Sequence, residues 1–291
     1  MSRQGPLYVP FSDARARSGE LDVRLIYASA TSLSIEGFGR RGEVNGGLMA
    51  CSSLAPLVST SENTIDAAGA DSGNPPSAST LHYVYLRQSG TLALSETSPT
   101  AVDGVPYLGA SDEAAMWAFV GWAYVNASTE FEDSDTARHV ISKYGRRPKR
   151  LLARPAYTNN NAATTFALNT ATWAALNAGT GDSVSYISNP DLPVQGEAVF
   201  TLGAATTGVV HVGVGYNGTT PDFAAGFGNL SLAGSSVAVP IYVAAANPVT
   251  AKTLDLVAMT SAAAATFAAD LARNGASADP CATFLLAWVW G

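Results

Sequence analysis

The sequence predicts a mainly β protein, in which a β-rich N-terminal domain with one short helix is followed by a C-terminal β-sandwich of the jelly-roll type. Short apolar runs separated by Gly, Pro, Asn and Ser recur along its 291 residues, which is the pattern of many short strands. Only 13% of the residues are charged, whereas typical soluble domains have about 25%. Small polar residues must therefore cover much of the surface, as they do in many strand-and-turn proteins.

Residues 1–20 are predicted to form a docking arm. They are polar and interrupted by Pro and Gly, and Arg15 and Arg17 alternate with Ala. We expect a terminal segment of this composition to be flexible, and to become ordered where it docks onto a larger body. The β-rich domain then spans residues 21–150, and its first run is apolar at every second position from Leu21 to Tyr27.

The centre of this domain is predicted to be the run MWAFVGWAYV, residues 116–125. Because the run is apolar on both faces, we expect a central strand that is covered on two sides. Gly121 within it predicts a bulge or the close approach of another backbone. Two long loops, at 61–79 and 95–109, flank the hairpin that precedes this strand, and loops of such length are usually functional or mobile.

One helix is predicted, beginning after Ser134. Ser134 is a good N-cap, and Gly145 suits the position that follows a helix C-terminus. Pro148 would prevent continuation of the helix. The apolar residues of this segment share one face at helical spacing; they are Ala137, Val140, Ile141 and Tyr144.

A second domain is predicted over residues 151–291, joined to the first near Arg147–Leu151. Its strongest hairpin signal is Asn217–Gly218. Short strands at regular spacing indicate a sandwich or a jelly roll. The candidate strands are FALNTATW, SVSYIS, EAVFTLG, GVVHVGVGY, VAVPIYVAAA, KTLDLVAMTSA and ATFLLAWVW.

The composition argues against two classes of partner. The net charge is −7, whereas nucleic-acid binding needs a basic surface to neutralise phosphates. No run reaches the roughly 18 apolar residues that a membrane span requires, so we expect no membrane insertion. The N-terminus carries no apolar signal segment, which predicts synthesis in a cytoplasm without a signal peptide.

No catalytic residue, metal site or cofactor is predicted. The three histidines lie on unrelated elements, and neither of the two cysteines belongs to a CxxC pair. A glycosidase carboxylate pair in the loops of the first domain stays open as an alternative. Its candidate residues are Asp103, Asp112 and Glu113.

Aromatic side chains of the second domain are the candidate ligand-binding residues. Sugars present C–H faces to aromatic rings, and neighbouring polar side chains bond their hydroxyls. The tryptophans in apolar runs are predicted to be core residues instead; they are Trp117, Trp122, Trp288 and Trp290. The predicted sugar-facing residues are Tyr157, Trp173, Tyr186, Tyr216, Phe223 and Tyr242.

Three stretches resemble tailed-phage fibre and minor virion proteins. LIYASATSLSI, a Gly-rich turn and HYVYLRQSGTLALSETSPT are similar to a hairpin module of that family. FEDSDTARHVISKYGRRPKRL resembles the segment that closes this module, although Lys143–Tyr144–Gly145 replaces an aromatic pair and Asn. GYNGTTPD is similar to a phrase of the β-sandwich that follows. The predominance of Arg among the basic residues and the modest length also fit the capsid head spikes of alphaproteobacterial gene transfer agents, whose particles resemble phages.

The resemblance implies a non-enzymatic protein on the surface of a phage or phage-like particle, made in the bacterial cytoplasm. It implies that the arm contacts other capsid or tail proteins and that the C-terminal domain binds host cell-surface polysaccharide. A homo-oligomer is expected, a trimer for a fibre or a pentamer at a capsid vertex. Two alternatives stay open: a decoration or adaptor protein without receptor binding, and a capsule depolymerase.

Overall fold

The structure is a computed structural model, and it describes residues 23–37, 41–44, 47–50, 56–87, 91–102, 105–108, 117–155, 165–176, 181–203, 206, 208–228, 231–232, 234–246, 248–261, 265–268 and 283–290. Throughout these residues the chain forms strands and turns, and no helix occurs among them. The mainly β prediction is therefore confirmed. The predicted docking arm, residues 1–20, lies outside the described residues.

The strands in chain order are β1 Val23–Ser29, β2 Ser32–Gly37, β3 Arg41–Val44, β4 Gly47–Ala50, β5 Pro56–Ser59, β6 Thr80–Leu86, β7 Leu92–Ser95, β8 Thr100–Val102, β9 Val105–Leu108, β10 Trp117–Val125, β11 Ala137–Arg138, β12 Val140–Ser142, β13 Pro148–Ala153, β14 Thr165–Leu168, β15 Ala174–Ala175, β16 Ser183–Ile187, β17 Val194–Thr201, β18 Val210–Tyr216, β19 Pro221–Phe227, β20 Ser236–Val243, β21 Ala251–Thr260, β22 Ala265–Ala268 and β23 Phe284–Trp290. They belong to two compact units. One comprises residues up to Asp133 together with His139–Arg147, and the other comprises Ser134–Arg138 and Pro148–Trp290.

The first unit is built around β10. Its largest sheet has the order β7-β6-β10-β9-β8, and β12 also pairs with β10. The strands β1, β2 and β5 form a second sheet, and β3 pairs with β4. Side chains on β10 are buried on both faces, which confirms the predicted central strand. At Gly121 the register between β10 and β6 shifts, as the glycine predicted.

The predicted helix after Ser134 is wrong. Ala137–Arg138 instead forms β11, which runs parallel to β16, and Val140–Ser142 forms β12 against β10. The apolar residues that suggested a helix face are indeed buried, but on strands and turns. An isolated helix of this length is marginal in water, whereas pairing with β10 satisfies the backbone of β12 and buries its side chains. Long-range pairing therefore overrides the local pattern.

Gly145 keeps a special role without a helix, because its φ is +60° in the turn that follows β12. A β-branched side chain resists this left-handed conformation. We expect Gly145→Val to lower the free energy of unfolding by roughly 1–2 kcal/mol. Urea denaturation followed by tryptophan fluorescence measures this loss. Gly145→Asn is the matched control, since Asn tolerates positive φ, and equal losses in both variants would contradict the explanation.

The second unit contains two larger sheets whose inward side chains share one core. One sheet has the order β11-β16-β21-β18-β19 with β15 on β21, and the other has the order β13-β23-β17-β20. Alternate residues of strands from both sheets belong to the same buried cluster, which is the packing of a β-sandwich. The hairpin between β18 and β19 turns at Asn217, whose φ of +59° confirms the Asn-Gly turn signal. The jelly-roll connectivity stays a prediction.

Candidate functional site

The structure does not gather the predicted sugar-facing aromatic residues into one site. Tyr157 lies outside the described residues. Tyr186 is buried in the core of the second unit, so its ring is closed to a ligand. Trp173 is half-buried with its ring centroid 6.3 Å from that of His211. Tyr242 is 59% exposed and remains a surface candidate.

Tyr216 and Phe223 are half-buried and pack against the sandwich core. The Tyr216 hydroxyl approaches that of Tyr186, and burial raises the pKa of both phenols. The ammonium of Lys252 lies 5.1 Å from the Tyr216 ring centroid. These contacts stabilise one end of the sandwich, and they leave little of either ring face for a sugar.

A row of exposed side chains crosses the outer face of the β13-β23-β17-β20 sheet. Trp288 pairs with Arg150 on one side and with Gln195 on the other, and Gln195 pairs in turn with Tyr242. Residues directly opposite each other in a sheet project to the same face. All four are exposed, Trp288 to 44%. We call Arg150, Trp288, Gln195 and Tyr242 the aromatic row.

The spacing of the aromatic row suits an extended ligand. Neighbouring strands lie about 4.8 Å apart, so Trp288 and Tyr242, which are separated by β17, stand roughly 10 Å apart. Between them the Gln195 amide offers both hydrogen-bond donors and an acceptor. The next position along β17 on the same face is Glu197, which is also exposed. The row therefore combines two apolar rings with polar groups on an open surface.

The predicted core assignment of Trp288 is wrong, whereas Trp122 is buried as predicted. Trp117 and Trp290 are half-buried. In β23 the residues that face the core are Leu285, Ala287 and Val289, so Trp288 points outward. The alternation of side chains between the two faces of the strand FLLAWVW is the sequence signal that places Trp288 outside the core.

The first unit contains a concave feature, a cleft with a volume of about 350 Å³. The loop 61–79 forms one wall. Arg87 lies in it with Nη2 3.2 Å from the Asp71 carboxylate and its guanidinium 4.5 Å from the Trp117 ring centroid. The cleft is lined by Ser61, Glu62, Asn63, Asp71, Arg87, Leu92 and Ala93. Because Arg87 is already neutralised and stacked, this cleft suits polar, uncharged groups.

The histidines of the first unit are structural. His82 and His139 are buried, and burial lowers the pKa of each below its ordinary value. Glu96, 3.8 Å from His82, and Glu132, 3.7 Å from His139, oppose that shift without cancelling it. His139 also packs edge-on against Tyr124. The two rings are therefore held neutral inside the fold.

This burial predicts that the first unit is sensitive to acid. A base with a lowered pKa in the folded state stabilises the fold above the unfolded pKa of about 6.5, and that stability is lost as the pH falls through the folded pKa. We therefore expect the urea concentration at the unfolding midpoint of the first unit to decrease as the pH is lowered from 7 to 5. His82→Gln with His139→Gln should flatten this dependence, and His211→Gln is the control. An unchanged slope in the double variant would refute the assignment.

Two further findings concern the described part of the chain. Within it, no group of three or more His, Cys, Asp or Glu side chains is placed to hold a metal ion. The same residues include no helix that is long and apolar enough to cross a membrane. The candidate glycosidase carboxylates, Asp103, Asp112 and Glu113, lie outside the described residues, as do both cysteines.

Comparison with known protein families and with curated proteins gives no match. Among solved structures, a chain of infectious bursal disease virus, Gx strain, is similar over 91% of this chain and 66% of its own, with 14% identity and a TM-score of 0.28. A chain of the Gt strain is similar over 93% of this chain and 69% of its own, with 12% identity and a TM-score of 0.31. This chain thus spans about two thirds of the length of those chains. Likeness at this level leaves the function to be inferred from the residues.

Proposed function

We propose that the protein is a non-enzymatic surface component of a phage or phage-like particle and that it binds host cell-surface polysaccharide. The observation that carries this proposal is the aromatic row on the second unit. Exposed Trp288 and Tyr242 flank the Gln195 amide in register across adjacent strands. Aromatic rings with an interposed amide match a sugar polymer, which presents C–H faces and hydroxyls along its length.

The geometry favours a polymer over a small sugar. The aromatic row lies on the open face of a sheet, whereas sites for small ligands are usually concave and bury most of the ligand. A flat face with rings roughly 10 Å apart contacts successive units of an extended chain. The resemblance of the first-unit hairpin to phage fibre modules supports placing this surface on a particle.

The proposal includes an assembly in which several copies of the chain are attached to the particle. The arm at residues 1–20 contacts other particle proteins, and the chain forms a homo-oligomer, a trimer in a fibre or a pentamer at a capsid vertex. Oligomeric display multiplies weak sugar contacts through effective concentration. Light scattering of the purified chain measures the oligomer, and a stable folded monomer at micromolar concentration would contradict this part of the proposal.

The test is a glycan array that carries bacterial capsular and lipopolysaccharide glycans, probed with the full-length oligomer. We expect the chain to bind at least one class of polysaccharide on the array, and we expect the free polymer to compete with this binding.

Electron microscopy of particles labelled with an antibody to the chain should show the chain on the outside of the particle. Surface labelling without any glycan binding would favour a decoration or adaptor protein, and release of reducing sugar from capsule would identify a depolymerase.

A further inference from the structure

The cleft of the first unit is lined by the loop 61–79, by Arg87 and by β7. Its volume of about 350 Å³ lies within the range of about 300–1,000 Å³ that is usual for small-ligand sites. The apolar residues of the lining are Leu92 and Ala93, and the side chains of both are buried. The surface that a ligand meets in the cleft is therefore mainly polar.

Hydrogen bonds order the loop 61–79, which forms one wall of the cleft. The Ile65 amide donates to the Leu94 carbonyl oxygen at 2.8 Å, and the Ser95 hydroxyl donates to the Ile65 carbonyl oxygen at 2.8 Å. These two bonds tie the loop to β7. Within the loop, the Asp66 carboxylate accepts hydrogen bonds from two backbone amides. Because the wall is already ordered, ligand binding costs little conformational entropy of the protein.

Several polar side chains of the lining keep hydrogen-bonding capacity for a ligand. The side chains of Glu62 and Asn63 are exposed and make no hydrogen bond among the described residues. Arg87 donates one bond, of 3.2 Å, from Nη2 to the Asp71 carboxylate. A guanidinium has five N–H donors, so Arg87 retains others while it is paired. Stacking on the Trp117 ring, with 4.5 Å to the ring centroid, restrains the orientation of this guanidinium.

The charges of the lining favour a neutral ligand. Glu62 and Asp71 carry two negative charges and Arg87 carries one positive charge, so the lining has a net charge of −1 and repels an anion. Arg87, which lies beside Asp71, disfavours a second cation there. Carboxylates only accept hydrogen bonds, a guanidinium only donates them, and a hydroxyl group does both. Two neighbouring hydroxyls of one ligand can therefore bond Asp71 and Arg87 side by side.

We propose that this cleft binds one neutral sugar unit, such as the end of a glycan chain. Glu62 and Asp71 accept bonds from the hydroxyls of the sugar, and Asn63 and Arg87 donate bonds to them. The site goes beyond the aromatic row, because the row lies on an open face that suits the length of a polymer, whereas a concave site encloses a small ligand. A single sugar makes few contacts, so we expect a Kd of about 1–10 mM.

The test is saturation-transfer difference NMR of the full chain, both unmodified and with Trp288→Ala and Tyr242→Ala combined. The probes are D-glucose, D-galactose, D-mannose and N-acetylglucosamine. We expect saturable binding of at least one probe, with the same Kd in both proteins. Glu62→Ala should weaken this binding about tenfold or more, and Asn63→Ala about three- to tenfold. Glu130→Ala, which removes an exposed acid of the same unit outside the lining, should leave the binding unchanged.

Three results would overturn the proposal. The first is the absence of saturable binding for every probe at about 100 mM, well above the expected Kd. The second is an equal Kd in the Glu62→Ala, Asn63→Ala and Glu130→Ala variants, which would place the sugar elsewhere. The third is tighter binding of D-glucuronate or D-glucosamine than of D-glucose, which would show that the cleft selects a charged group. Loss of polysaccharide binding on the glycan array is a separate measurement, so the two proposals fail independently.

Discussion

Replacement of Gly121 by valine should destabilise the first unit by about 3 kcal/mol or more, through overpacking against backbone atoms. Gly121 lies in the middle of β10, between β6 and β12. A Cβ atom there would overlap the Ile141 carbonyl oxygen, and it would lie 3.1 Å from the Ser142 Cα atom. These atoms belong to the paired strand, so no side-chain rotation relieves the clash.

The damage should spread from β10 to the sheet beside it. The Leu25 amide on β1 donates a 3.0 Å hydrogen bond to the Ser142 hydroxyl. The Leu25 side chain also stands 3.0 Å from the position that a Cβ on Gly121 would occupy. Moving β12 away from β10 therefore disturbs the contact with β1 as well. We expect loss of cooperative unfolding in the first unit, rather than a local change.

Urea denaturation of the full chain measures this effect. The matched control is Gly228→Ala, because, apart from its chain neighbours, no atom of the described residues lies within 4 Å of a Cβ at that position and its φ is outside the left-handed region. Its stability should change by no more than about 0.5 kcal/mol. Gly121→Ala adds only the Cβ atom, so its effect on stability measures the Cβ clash without the additional volume of valine. If Gly121→Ala and Gly228→Ala have equal effects, the close approach at β10 is refuted.

The strands were largely predictable because their signals are local. Apolar residues on both faces of the run 116–125 indicated a covered central strand, and Asn217–Gly218 indicated a hairpin. The segment after Ser134 was not predictable in the same way. Its apolar spacing fits a helix, but its backbone pairs with β16 and β10, which are distant in sequence. Such pairing outweighs helix propensity, which is a weak preference per residue.

The candidate site was predictable only in part, for a related reason. Composition identified Tyr242 as a surface aromatic residue, but composition does not distinguish it from the buried Tyr186. The aromatic row depends on the register of four strands that are far apart in the chain. The apolar neighbours of Trp288 predict a core position, although the alternation along β23 places its side chain outside. Register is a tertiary property, and a single sequence specifies it weakly.

The second large effect is expected at the aromatic row. Trp288→Ala and Tyr242→Ala should each weaken polysaccharide binding roughly tenfold to hundredfold, since central aromatic anchors carry about 1.4–2.8 kcal/mol each. Gln195→Ala should have a smaller effect, because it removes hydrogen bonds that water partly replaces. The side chains are exposed, so the free energy of unfolding should change little in each variant. Affinity is measured by isothermal titration with the polysaccharide that the glycan array identifies.

The control for this prediction is Leu232→Ala, which removes an apolar side chain that is 71% exposed and lies outside the row. This variant should leave the affinity for the polysaccharide unchanged. It therefore distinguishes sugar stacking on the aromatic row from a general effect of removing exposed apolar surface. An exposed aromatic face could instead join subunits, because protein interfaces are also enriched in Trp, Tyr and Arg. Light scattering of the Trp288→Ala and Tyr242→Ala variants tests this alternative by measuring the size of the oligomer. Full affinity in the double variant, together with a smaller oligomer, would show that the row joins subunits and that the sugar is bound elsewhere.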